Sequence, residues 1–86
     1  MAKYEILFKR SVYKDLKPVP KSDVVRILKR IDGLADDPRG PRCEKLSGQE
    51  RYRVRQGVYR IVYEIEDVWL VVTVVKVGHR STVYDR

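Results

Sequence analysis

The stretch RYRVRQGVYRIVYEIEDVWLVVTVVKV, residues 51–77, decides how this chain folds. Arg51 to Gln56 alternates charged or polar residues with apolar ones, the period of a strand with one face buried. Gly57 supplies a turn, and Val58 to Ile65 reads as the next strand. Glu66-Asp67 turns the chain again. Val68 to Val77 is almost continuously apolar, as in a strand covered on both faces. Three consecutive strands with short connections predict an antiparallel meander.

Upstream of the meander the period changes. Lys3 to Phe8 alternates, with Tyr4, Ile6 and Phe8 on one side, and predicts a first strand. Ser11 is placed to cap a short helix carrying Val12 and Leu16. Pro18 and Pro20 end that helix, and Pro20 falls near the start of the next. From Lys21 to about Leu34, the residues Val24, Ile27, Leu28, Ile31 and Leu34 recur at helical spacing. Asp36 to Pro41 is a loop by composition. The expectation is an α+β fold. A single domain spanning 1–86 carries an N-terminal strand and two helices packed on one face of an antiparallel sheet.

Bulk properties narrow the function classes. Eighty-six residues allow one modest core. Cys43 is the only cysteine, so no disulfide forms within one chain, and no Cys/His set offers a structural metal site. Met1 to Phe8 lacks a secretory pattern, and no stretch approaches the roughly 20 apolar residues of a membrane helix. These features imply a cytoplasmic protein without cofactor or membrane attachment. Nineteen Lys and Arg against twelve Asp and Glu give a net charge of +7, which favours a polyanionic partner. No Gly-rich phosphate loop precedes a helix, and no carboxylate cluster suggests a two-metal nuclease. Ser47 and Cys43 have no local base to activate them.

With Gln56-Gly57 as the hairpin loop, Tyr52 faces Ile61 and Val54 faces Tyr59 on an apolar side. On the other side Arg53 then lies opposite Arg60, flanked by Arg51 and Arg55. Opposed like charges cost a few tenths of a kcal/mol up to about 1. No acid between Arg51 and Tyr63 relieves them, so a bound anion accounts for the concentration. Wet arginines splayed apart on a plain surface are the alternative. The last strand returns to this turn and delivers Gly78-His79-Arg80, with Tyr84 soon after. That side of the sheet also receives Val62, Trp69, Val71, Val75 and Val77, which need cover from helices, the terminus or a partner.

Arg53, Arg55, Arg60, Arg80, His79 and Tyr84 have the chemistry for cutting RNA without a metal. The 2′-hydroxyl attacks the adjacent phosphate. One group accepts its proton, another protonates the departing 5′-oxygen, and positive charge stabilises the phosphorane. Arginine suits the last task through its planar fork. Histidine is the side-chain type whose ordinary pKa lies near neutrality, which makes His79 a candidate for proton transfer, and Tyr84 can stack on a base or carry a proton. Arg51, Lys45 and Lys76 are candidates for contacts to the RNA backbone.

Lys45-Leu46-Ser47-Gly48, Tyr52-Arg53-Val54-Arg55 and Gly57-Val58-Tyr59-Arg60-Ile61-Val62-Tyr63 resemble the centre of the RelE/ParE toxin superfamily. Val77-Gly78-His79-Arg80 and Val83-Tyr84 resemble the C-terminal motif of its RelE branch. The resemblance spans essentially the whole chain. It implies a ribosome-dependent endoribonuclease that cuts mRNA in the A site, leaving a 2′,3′-cyclic phosphate and a 5′-hydroxyl. It also implies an antitoxin, here an acidic, partly disordered peptide held with salt-dependent affinity. Basic residues at Arg53, Arg55, Arg60 and Arg80 would handle phosphate and proton transfer, with Tyr84 stacking or sharing the acid–base work. Where well-known RelE proteins carry lysines on the second strand, this chain has Arg53 and Arg55, and a permanently protonated guanidinium is a poor base. Either Tyr84 or His79 takes that role or activity is low. The superfamily's other branch poisons DNA gyrase, and a non-catalytic RNA- or ribosome-binding module would need only the basic sheet.

Overall fold

The structure is a computed structural model describing residues 3–48 and 50–79. Its elements are β1 (Glu5–Phe8), α1 (Arg10–Leu16), α2 (Lys21–Gly33), β2 (Cys43–Lys45), β3 (Arg51–Gln56), β4 (Tyr59–Glu66) and β5 (Val71–His79). The sheet order is β1-β5-β4-β3-β2. The expected meander is β3-β4-β5. Two features exceed the expectation. β1 pairs parallel to β5, which makes the sheet mixed, and the three-residue β2 adds an antiparallel edge to β3.

Both helices cover one face. Val12 of α1 and Ile27 and Ile31 of α2, with Leu34 just beyond, pack against Val54, Ile61, Tyr63, Val72, Val74 and Val77. Burial at roughly 25 cal/mol per Å² of apolar surface makes this cluster the main source of stability. Val24 is only partly covered and Leu28 is 38% exposed, so the buried stripe of α2 is narrower than its apolar spacing implies. α2 begins after Pro20, with Asp23 in its first turn and Arg30 in its last, both favourable to the helix dipole. Ser11 does not cap α1. The N-cap is Lys9, whose backbone N–H is bound to the Val74 carbonyl at 2.8 Å, and the helix starts two residues earlier than a Ser11 cap would set it.

The β4–β5 connection is also longer than expected. Leu70 takes a left-handed φ of 53°, which interrupts extended backbone, so Val68 and Trp69 belong to the turn and not to β5. Beyond the end of β1, the Asp15 carboxylate of α1 accepts the Val77 N–H at 3.1 Å and replaces the missing strand partner on β5.

The loop before β2 is tied down by side chains. The Tyr63 hydroxyl donates to the Pro38 carbonyl at 2.6 Å. Arg39 donates both terminal nitrogens to Asp67 at 2.9 and 2.8 Å, and Tyr4 donates its hydroxyl to the same carboxylate at 2.8 Å. The Arg39 guanidinium, helped by Tyr4, holds the Asp67 carboxyl below its ordinary value. A folded-state value below the unfolded one contributes stability above the unfolded value of about 4, and that contribution is lost as pH falls through the folded one. Denaturant titrations of wild type and Asp67→Asn should therefore differ at neutral pH and converge in acid. Equal separation at every pH would exclude this coupling.

Candidate nucleic-acid interface

The helix-free face of the sheet presents its side chains in cross-strand rows. Nearest the β3–β4 turn, Arg55 faces Arg60, and Arg60 faces Gly78. The next row runs Glu44, Arg53, Val62, Lys76. Arg51 and Glu64 follow, with Thr73 beyond, and Glu66 and Glu5 flank Val71 at the far end. Charge thus grades from positive at the turn to negative at the opposite end.

The register corrects the expected one. Gly57 has a φ of +59° and occupies the first loop position, with Val58 the second, a geometry that favours glycine there. Pairing therefore shifts by two residues. Arg53 faces Val62, and the directly opposed like charges are Arg55 and Arg60. Arg53 is also relieved in a way the sequence did not reveal. Its guanidinium donates to Glu44 on β2 at 2.9 Å, and its side chain is only 11% exposed. Arg51 donates to Glu64 at 3.0 Å. An edge strand of three residues carries too little pattern to detect, so Glu44 was missed.

The other expected residues divide between the two faces. Lys76 shares the arginine face. Lys45 pairs in register with Tyr52, on the helix-bearing side, and its ammonium lies 3.2 Å from Glu50. His79 faces Tyr59, also on the helix-bearing side, with the two rings edge to face at 5.9 Å. A β-bulge at Val75 causes this: Val62 pairs with Lys76 but Tyr63 with Val74, so alternation inverts beyond the bulge. The same inversion sends Val77 into the helix-covered core. Trp69 is in the turn, 73% exposed. On the arginine face, Leu46, Val62 and Val75 bury one another in a separate small cluster. Arg80 and Tyr84 lie outside the described residues.

Tyr59 is held above its ordinary value by burial and by the nearby Asp23 carboxylate. It is therefore a neutral donor at physiological pH and a poor proton acceptor. The remaining arrangement on the open face is a set of fixed cations: Arg55 and Arg60 at the turn, with Arg53 braced behind them. Such a set can hold a phosphate in bidentate fashion and stabilise added negative charge on it, but cannot itself take a proton.

The family model for the ParE toxin of type II toxin–antitoxin systems matches residues 4–84, and the chain belongs to that family, within the RelE/ParE superfamily. Within it, this chain is a RelE-like toxin of a toxin–antitoxin system. It is 26% identical over 87 residues to an Escherichia coli RelE-like toxin protein, covering 96% of this chain and 92% of that one. It is 30% identical to the toxin of the archaeal RelE–RelB complex from Pyrococcus horikoshii, with a TM-score of 0.80 over 94% of this chain and 99% of that one. The toxin–antitoxin complex RelBE2 of Mycobacterium tuberculosis contains a chain of the same fold. The TM-score is 0.82 at 23% identity, over 91% of this chain and 99% of that one. Among the described residues, no helix is long and apolar enough to cross a membrane.

Proposed function

We infer that this toxin is an endoribonuclease that enters the ribosomal A site and cuts mRNA without a metal, in the cytoplasm, and that a cognate antitoxin silences it. The observation that carries this reading is the Arg55–Arg60 pair, set directly across two strands on a face left bare by both helices. Opposed like charges are retained against their own repulsion when an anion between them is useful, and a phosphorane is such an anion. The chemistry would begin with attack of the 2′-hydroxyl on the adjacent phosphorus. Arg55 and Arg60 would bind the non-bridging oxygens, and Arg80 would join them or protonate the departing 5′-oxygen. Proton acceptance falls to Tyr84, since arginine stays charged and the His79 ring sits on the opposite face. Several relatives were solved as complexes with their antitoxins, and an acidic segment would complement the basic turn end of this face.

The family model bears the name of the gyrase-poisoning branch, which makes that activity the second reading. One experiment separates them. An mRNA is translated in a reconstituted system with wild type or Arg80→Ala, new 5′ ends are mapped, and plasmid supercoiling is followed in parallel. A-site cuts that vanish with Arg80→Ala are expected. Intact mRNA with altered supercoiling would move the toxin to the gyrase branch.

A further inference from the structure

The basic surface does not stop at the arginine face. Arg55 also lines an open groove of about 550 Å³ that wraps behind the β3–β4 turn, between α2 and the loop before β2, with Arg30 and Arg42 on its walls. This groove continues into a second hollow of about 280 Å³, walled by the same Arg30 and Arg42 and floored by Leu34, Cys43 and Val54. Arg26 and Lys29 stand on the next exposed positions of α2, lining a further shallow depression with Arg30. Arg30 is fixed in place, its Nε donating to the Gln56 side chain at 3.2 Å beside the turn. Each hollow has one acid in its lining: Glu44 in the groove, its carboxylate 2.9 Å from the Arg53 guanidinium, and Asp37 in the second hollow, its carboxylate accepting the Arg39 N–H at 3.3 Å.

We propose that this groove is a second RNA contact, a track that receives the single-stranded flank of the same RNA strand whose phosphate lies at Arg55 and Arg60. Continuity is the argument. Arg55 belongs both to the opposed pair and to the groove, so a strand leaving the pair meets Arg42 and Arg30 next, and the one acid on that groove's wall, Glu44, is already engaged by Arg53. Guanidinium groups suit backbone phosphates, Arg30 being held ready by Gln56, and the apolar floor beneath them can take an unstacked base. The assignment rests on the RNA reading of the arginine face but requires no cleavage.

The test is equilibrium binding of fluorescent oligoribonucleotides to the full chain, read by anisotropy across a salt series. A twelve-nucleotide strand reaches both surfaces, whereas a trinucleotide covers the arginine face alone. Arg30→Gln with Arg42→Gln should weaken the long strand about tenfold at low salt and flatten its log–log salt slope by about 0.7 per arginine removed. The trinucleotide should be unaffected. Arg42→Gln alone, at an exposed position, should give part of the effect without disturbing the Arg30–Gln56 contact, and Lys17→Gln on α1 should give none. Equal weakening of both lengths, or of neither, overturns the track. So does weaker binding to vacant ribosomal small subunits with oligonucleotide affinity unchanged, which would assign the groove to ribosomal RNA. Cleavage is not read here. A toxin that binds as expected but cuts nothing would refute the nuclease reading and leave the track standing. Normal A-site cleavage with a length-independent response would do the reverse.

Discussion

Arg55→Ala should lower mRNA cleavage on ribosomes by roughly 10²–10³-fold, the usual loss when one fixed donor to a developing oxyanion is removed. The same substitution should leave thermal stability unchanged or slightly raised. Arg55 is exposed and faces Arg60 across the strands, so its removal relieves a repulsion of a few tenths of a kcal/mol, up to about 1. Opposite signs for activity and stability are what a functional cluster predicts and a structural one does not. Arg60→Lys refines the point. It keeps the charge but loses the planar fork, so cleavage should fall while binding of the strand weakens less. Single-turnover cleavage and thermal melts on the same preparations decide it. An Arg55→Ala toxin that melts lower and cuts at full rate would remove this pair from the chemistry.

The largest stability effect is expected at Tyr63. Its side chain is fully buried at the centre of the sheet, with its ring 5.9 Å from that of Tyr52. Its hydroxyl makes the 2.6 Å bond to Pro38 that pins the loop carrying Arg39. Burial pushes its titration well above the ordinary tyrosine value, so the donor stays protonated at every working pH. Tyr63→Ala should cost about 3–5 kcal/mol through lost contacts and a residual cavity, a large share of the total stability of a domain this small. Tyr63→Phe keeps the ring and should cost about 1–2 kcal/mol, because a carbonyl held by the fold loses its donor. Urea unfolding of both variants measures the difference. A Phe variant as stable as wild type would mean that the loop is held by the Arg39–Asp67 pair alone.

Residues 51–77 determined a great deal by themselves. Strict alternation from Arg51 to Gln56 assigns the three arginines to one face and Tyr52 and Val54 to the other. A pairing shift of two residues leaves those faces unchanged, because side chains repeat with period two. The helical spacing of Ile27, Ile31 and Leu34 likewise announced the layer covering the apolar face. The superfamily was legible from the same segments, and the family match bears it out.

What depended on tertiary structure was which groups meet across strands. The local preference of Gly57 for a positive φ set the loop at Gly57-Val58 and exchanged the partners, placing Arg55 rather than Arg53 against Arg60. The bulge at Val75 inverted alternation within an apolar run whose residues look alike from either face, and so carried His79 away from the arginines. Glu44 reached Arg53 through a strand too short to have a period. Composition and periodicity determine faces only as far as a strand runs unbroken, because they act residue by residue along it. Turn geometry, bulges and edge pairing determine neighbours, because their energies belong to two segments at once, and in this toxin the neighbours make up the proposed site.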